Sequence, residues 1–394
     1  KTAYEISACL VGSEMCIRDR STAAEFNAIN NATSVAVNAT SVTELASSNI
    51  SDIKTLLTAG NDTNQFTATS FGSLATVTVA DTTLDVSDLN DSIAQANTAT
   101  GATSTSFTIS SVDTINAGTA AEFTTLLDYE SGSQISITDQ NLTVDSGTMS
   151  VANAVALSAT TSGTVTGEIT SGTTISAMLD SSSGLEDTGT VAAQALTITV
   201  ASGDAEATAA NLTSLYGKTT VAVDASAVTQ ITGSVDAANI VYAAGASEIT
   251  GLGNETVVTT DTSLSDVTTL NTLDGNTTGT VNAASVTTIT GTLAKLLTAY
   301  GSNGITGLGN ETISVSDTGG GSSLAASDLN SLDSKTSGTI TTANGLVTLT
   351  GTVAALNTAY GSAGLSIQGD EAITISDTTA VSYTHLTLPT KRIV

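Results

Sequence analysis

The chain has 394 residues and carries 37 acidic against nine basic residues, a formal net charge of −28. Nucleic-acid binding needs a basic footprint that this balance does not supply, and no apolar run approaches the length that crosses a bilayer. Aromatics are 3% and Trp is absent, while mean hydropathy is +0.22 and hydrophobic residues make up 40%. The chain is too apolar for a solvated coil, and its core must be built from Val, Ile, Leu, Ala and Thr.

In chain order, residues 1–20, "KTAYEISACLVGSEMCIRDR", hold both cysteines, Cys9 and Cys16. The segment 21–26, "STAAEF", opens a pattern that returns as "GTAAEF" at 118–123. "SVTELASSNISDIKTLLTAG" (41–60) and "SVDTINAGTAAEFTTLLDYE" (111–130) are early, divergent copies of a unit that sharpens downstream. There "SVTTITGTLAKLLTAYGSNGITGLGNETISVSD" (285–317) is followed by "GLVTLTGTVAALNTAYGSAGLSIQGDEAITISD" (345–377), with a third copy at 227–261. The period is about 60 residues and divides into halves of about 30 residues.

Every half predicts one short helix and two short strands. Leu293, Leu296, Leu297 and Tyr300 form one apolar helical face. Ile53, Leu56 and Leu57 repeat it, as do Phe123, Leu126 and Leu127. Helices are also expected in 265–275 and 327–338, with Ser and Asp ahead of the apolar set as N-caps. The Thr-, Val- and Ile-rich stretches 279–291 and 311–317 predict strands bounded by Gly, Asn or Asp. Apolar pairs three apart, Val112/Ile115, Val228/Ile231 and Val286/Ile289, break strict alternation and predict a bend.

No half closes its own hydrophobic face, so like turns must stack. The fold expected is a repeat solenoid, β-rich with a short helix per turn of about 30 residues, of the α/β or β-solenoid kind, with roughly a dozen turns and a length on the order of 60 Å. Helices pack about twice as far apart as strands, so helices alternating between two sides are expected. Tandem all-β sandwich domains are the alternative.

Residues 21–380 contain no Cys, His, Arg or Pro, and only Lys54, Lys218, Lys295 and Lys335 are basic, which takes the net charge to −30. Triads, thiol chemistry and disulfides are excluded there, and the chain is read as non-enzymatic. Paired carboxylates for a polysaccharide-active enzyme remain an alternative. Asp81, Asp139, Asp261, Asp317 and Asp377 each end a strand-like run, and neighbours are separated by about one repeat period or about two. Stacked in a file they suit Ca²⁺, the one cofactor left open; as ordinary turn residues they cap helices or start turns, which is the favoured reading. "GLGNE" (251–255 and 307–311) is read as a turn, because no helix follows it to cradle a phosphate. Thr76/Thr78 and Thr288/Thr290 are Thr-x-Thr pairs of the kind found on ice-binding solenoids, but along the sequence the pair drifts.

The unit "LNTLDGNTTGTVNAASVTTITGTLAKLLTAYGSNGITGLGNETISVSD" (270–317) resembles repeats of very large surface or secreted proteins of marine picocyanobacteria and other marine bacteria. The likeness covers 219–377 closely and 21–218 loosely. It implies an extracellular or cell-surface structural protein, related to adhesion, envelope or motility. Cell-surface glycans or neighbouring repeats would be its partners, with a Ca²⁺- or glycan-binding solenoid module as the alternative.

The two ends carry a different resemblance. Met15–Asp19 can be encoded by a string whose reverse complement translates as Val381 through His385. "KTAYEI" and "LVGSEMCIRDR" resemble translated primer and transposase-adapter DNA, and "VSYTHLTLPT" followed by "KRIV" resembles the opposite adapter. Residues 1–20 and 381–394, with His385, Pro389, Lys391 and Arg392, are therefore expected to be adapter-derived. The repeat array would be 21–380, an internal stretch of a longer reading frame.

Overall fold

The structure, a computed structural model, describes residues 21–187, 193–317, 322–342, 348–367, 369 and 371–378. The two adapter-like ends lie outside the described residues. The remainder is a mixed α/β protein with twelve α-helices among the described residues, and every recorded strand pair is parallel. The helices are α1 Ala23–Ala32, α2 Ile50–Gly60, α3 Val86–Thr100, α4 Ala120–Ser131, α5 Val151–Thr160, α6 Ile175–Met178, α7 Ala209–Tyr216, α8 Val235–Glu248, α9 Val267–Asn276, α10 Leu293–Gly301, α11 Ala326–Asp333 and α12 Val353–Gly361. Parallel pairing and the helix in nearly every turn overturn the sandwich alternative, because sandwiches are built from antiparallel hairpins.

The chain divides into two compact units. One holds the described residues within Lys1–Ala205, Asn211–Ala227 and Ala244–Gly251; the other holds those within Glu206–Ala210, Val228–Ala243 and Leu252–Val394.

In the first unit, Glu44–Ser48, Thr76–Val79 and Ser106–Thr108 form one sheet. Thr83–Asp85, Thr114–Gly118, Asn141–Met149, Val165–Ile169 and Gln194–Thr197 form a second, and Val223–Asp224 pairs with Ile249–Thr250. Paired strands are separated by one turn of chain, which is longest from Glu44 to Thr76 and shortest from Thr148 to Glu168. Register stacks like on like: Leu45 on Val77 on Phe107, and Leu84 on Ile115 on Leu142, all at most 2% exposed.

The second unit is more regular, and its turns are nearly equal in length. Its first sheet runs through Glu206–Thr208, Gln230–Gly233, Thr256–Thr259, Val281–Asn282 and Ile305–Thr306. Its second runs through Ser263–Leu264, Thr288–Gly291, Thr312–Val315, Ile340–Thr342 and Leu365–Ser366. The third holds Ser323–Ala325, Thr348–Gly351 and Ala372–Ile375. Ile231, Val257, Val281 and Ile305 make one buried file, and Leu264, Ile289, Ile313, Ile340 and Leu365 another. The full period is thus two rung steps plus a step that opens the next sheet, as Ser263 and Ser323 open theirs.

Successive helices do not alternate between sides. Within the first unit α1 through α5 lie against one another in chain order, and in the second so do α9 through α12. The spacing mismatch behind the expected alternation is met differently. No sheet among the described residues runs past five strands, and in the second unit a new one opens after every second helix. The expected bend is present. In Val286/Ile289 both side chains are 1% exposed, and the Val286 amide closes a turn onto the Ala283 carbonyl at 3.0 Å. Asp266 caps α9 as expected, its carboxylate accepting from Thr268 N. In α11 the helix begins at Ala326, so Ser327 and Asp328 fall inside its first turn rather than at the cap.

Candidate functional site

Four of the five singled-out aspartates share one geometry. Each follows a strand and turns its carboxylate onto the first amide of a helix that lies one turn earlier in the chain. Asp81 accepts from Ile50 N at 2.7 Å, Asp261 from Val235 N at 2.6 Å, Asp317 from Leu293 N at 2.6 Å and Asp377 from Val353 N at 2.7 Å. A carboxylate here meets an orphan N–H and the positive end of the helix dipole. The cap therefore ties one turn to the next rather than serving the helix that follows. Asp204, missed in the sequence, does the same for Ile175 N at 2.7 Å, and Ser48 for Ala23 N at 2.9 Å.

Asp139 differs. Its Oδ1 accepts from Gln140 Nε2 at 2.7 Å and from Thr138 Oγ1 at 3.3 Å, beside an open groove of about 510 Å³ shared with Ser106, Glu130 and Ser136. Asp261, Asp317 and Asp377 follow strands of three different sheets. Among the described residues no group of three or more His, Cys, Asp or Glu side chains is gathered as a metal would require.

"GLGNE" closes a tight turn around its own glutamate. Gly253 and Gly309, at φ 132° and 139°, take conformations that favour glycine. Their amides donate to the carboxylates of Glu255 (3.0 and 2.8 Å) and Glu311 (3.0 and 2.9 Å). Both glutamates are 0% exposed. Each also accepts from a tyrosine hydroxyl: Tyr242 to Glu255 at 2.9 Å and Tyr300 to Glu311 at 2.5 Å. Tyr360 and Glu371 form the third pair. Buried carboxylates are costly unless fully hydrogen-bonded, and here amides and a phenol supply the bonds. Burial, then the carboxylate bond, raises the tyrosine hydroxyls above the ordinary phenol value, Tyr360 to about 12.

A threonine–glycine pair locks the next rung against each of these turns. Thr277 Oγ1 donates to the Glu255 carbonyl at 2.7 Å, and Gly279 lies so close that a Cβ there would overlap that oxygen. Gly338 meets the Glu311 carbonyl in the same way.

A second tie runs between helices. Asn90 Nδ2 donates to Glu122 O at 2.8 Å, Asn239 to Thr269 O at 2.9 Å, Asn271 to Lys295 O at 3.0 Å and Asn330 to Ala355 O at 2.9 Å. The signal was present as Leu-Asn doublets, Leu89-Asn90, Leu270-Asn271 and Leu329-Asn330, in which the Leu enters the core and the Asn reaches across. Of the lysines, Lys54 pairs with Asp88 and Asp91 at 2.7 Å each, and those bonds raise its pKa, Asp88 foremost. Lys218 pairs with Asp187 at 2.9 Å. No lysine lines the groove beside Asp139.

The Thr-x-Thr pairs do not drift in the second sheet of the second unit. Ser263 pairs with Thr288 and Thr288 with Thr312, while Thr290, Ser314, Thr341 and Ser366 pair in turn. Sequence spacing concealed this because one turn of this sheet is a few residues longer than the rest: the step from Ser314 to Thr341 exceeds the one from Thr290 to Ser314.

Comparison with models of known families and with curated proteins finds no match to the chain. No helix among the described residues is long and apolar enough to cross a membrane.

Proposed function

We propose that this chain is the structural repeat region of a large extracellular or cell-surface bacterial protein, a solenoid without catalysis. The observation that carries the reading is where the repeated polar groups go. The Asp caps, Asn bridges and Glu–Tyr turns recur with the repeat, and each is spent on a neighbouring backbone or side chain of the same chain. A catalytic or ligand site would show such groups converging on open space. Parallel rungs paired in register, one turn after another, support stacking as a solenoid. The acidic composition, with no cysteine between residues 21 and 380, suits a salty exterior, where screening is strong. Surface location and the adhesive, envelope or motility setting rest on the resemblance of 219–377 to marine bacterial surface repeats.

Incubation with a panel of acidic and neutral polysaccharides should give no turnover. Calorimetric titration with Ca²⁺ should give no saturable heat and no melting shift. Antibody against the repeat should label intact cells that express the gene. Saturable Ca²⁺ binding with a melting shift, or chain cleavage of any polysaccharide, would overturn the reading.

A further inference from the structure

We propose that the outer face of the sheet Ser263–Leu264, Thr288–Gly291, Thr312–Val315, Ile340–Thr342 and Leu365–Ser366 is an ice-binding surface. Two parallel files of hydroxyls cross it: Ser263, Thr288 and Thr312 in one, and Thr290, Ser314, Thr341 and Ser366 in the other. Between them Ile289, Ile313 and Ile340 point inward and are at most 1% exposed, which fixes the hydroxyls outward. Ser263, Thr288, Thr312 and Ser366 are exposed, the other three half-buried. Strands about 4.8 Å apart, with residues i and i+2 about 6.7 Å apart along each, make a two-dimensional grid. Oxygens on a prism face of ice repeat at comparable spacings in two directions, so the grid can hold a first water layer already in lattice positions.

Three further features favour a crystalline water surface over a charged or apolar partner. Neither file contains a charged or a large apolar residue, although the chain carries 37 acidic groups. Threonine χ1 is stiff, and Thr341 Oγ1 is pinned by donation to the Ile313 carbonyl at 3.1 Å, so methyl and oxygen keep fixed outward positions. In-register side-chain ladders also hold a sheet flatter than its natural twist. The other five-stranded sheet of this unit lacks the pattern, because Glu206 and Gln230 stand in the file of Thr256. It serves as the internal control.

The test is ice-crystal growth in a nanolitre osmometer, with fluorescently labelled full chain followed into a growing ice front. The native chain should facet ice crystals, give a gap between melting and freezing points and enter the ice. Thr312→Lys and Ser314→Lys should each abolish the gap, and Thr256→Lys should leave it unchanged, with all three keeping the native circular dichroism and melting temperature. Round crystals with no gap, exclusion of the native chain from ice, or equal loss in Thr256→Lys would overturn the proposal. Its failure leaves the structural role proposed above untouched, since that role rests on the internal ties.

Discussion

Replacing Tyr300 by Phe removes one hydroxyl and almost no packing volume. Glu311 then stays fully buried with backbone donors only, Gly309 N at 3.0 and 2.9 Å and Asn310 N at 3.2 Å. A hydrogen bond to a charged group contributes about 1.5–3 kcal/mol, and its loss leaves a buried acceptor under-satisfied. Tyr300→Phe should therefore weaken folding by about 1.5–3 kcal/mol, a factor of about 10 to 100 in the equilibrium constant. Tyr360 makes the same bond but is 47% exposed, so water replaces its hydroxyl and Tyr360→Phe should cost well under about 1 kcal/mol. Adding Glu311→Gln to Tyr300→Phe should recover part of the loss. Gln140 lies likewise buried at the head of a strand in the other unit, where its Oε1 accepts from Thr138 N at 2.9 Å. Urea titration followed by circular dichroism, with all variants compared at constant slope, reads these differences. If Tyr300→Phe matches the native chain within about 0.5 kcal/mol, or costs no more than Tyr360→Phe, the Glu–Tyr pairs are not what holds these turns.

The same pairs make the fold sensitive to alkali. Their phenol pKa values are raised above 10.0 on folding, so their stabilisation is full below pH 10 and is lost as pH rises through the folded values. Melting temperature should fall steeply above pH 10, and less steeply in a Tyr242→Phe, Tyr300→Phe double variant. Asp317→Ala should cost about 0.5–2 kcal/mol as a lost helix cap, whereas Asp139→Ala, which caps no helix amide, should cost less in the same urea titration. Gly338→Ala forces a methyl onto the Glu311 carbonyl, and should be among the most destabilising single methyl additions in the chain, read as a drop in melting temperature.

Much of this architecture was legible in the sequence because its periodicities are hydrophobic. The apolar sets at Ile53, Leu56, Leu57 and at Leu293, Leu296, Leu297, Tyr300 lie on helices α2 and α10; all are buried except Leu297 and Tyr300, which are half-buried. Two of the three-apart pairs mark bends because Val112 and Val286 each end a turn while Ile115 and Ile289 lie in the strand that follows. The side on which the helices lie was not legible. Alternation followed from comparing strand spacing of about 4.8 Å with helix diameters, and that comparison says nothing of sheets that end and restart. The aspartates were legible as caps, but their target was not: the hydrogen bond joins Asp317 to Leu293, 24 residues back, and local spacing cannot show a partner on another turn. Nor did "GLGNE" announce its tyrosine, which lies 11 residues upstream of Glu311 on helix α10 and meets it only after the chain folds back.

The central claim is that, within each unit, turns pair in register and the repeated polar groups serve that pairing. Amide hydrogen exchange of the full chain, read residue by residue, tests it most directly. Asp317→Ala should speed exchange at the Leu293 amide, 24 residues back, and Tyr300→Phe should speed it at the Gly309 amide, with amides of the first unit unchanged. Native exchange rates at Leu293 and Gly309 in both variants would contradict the account.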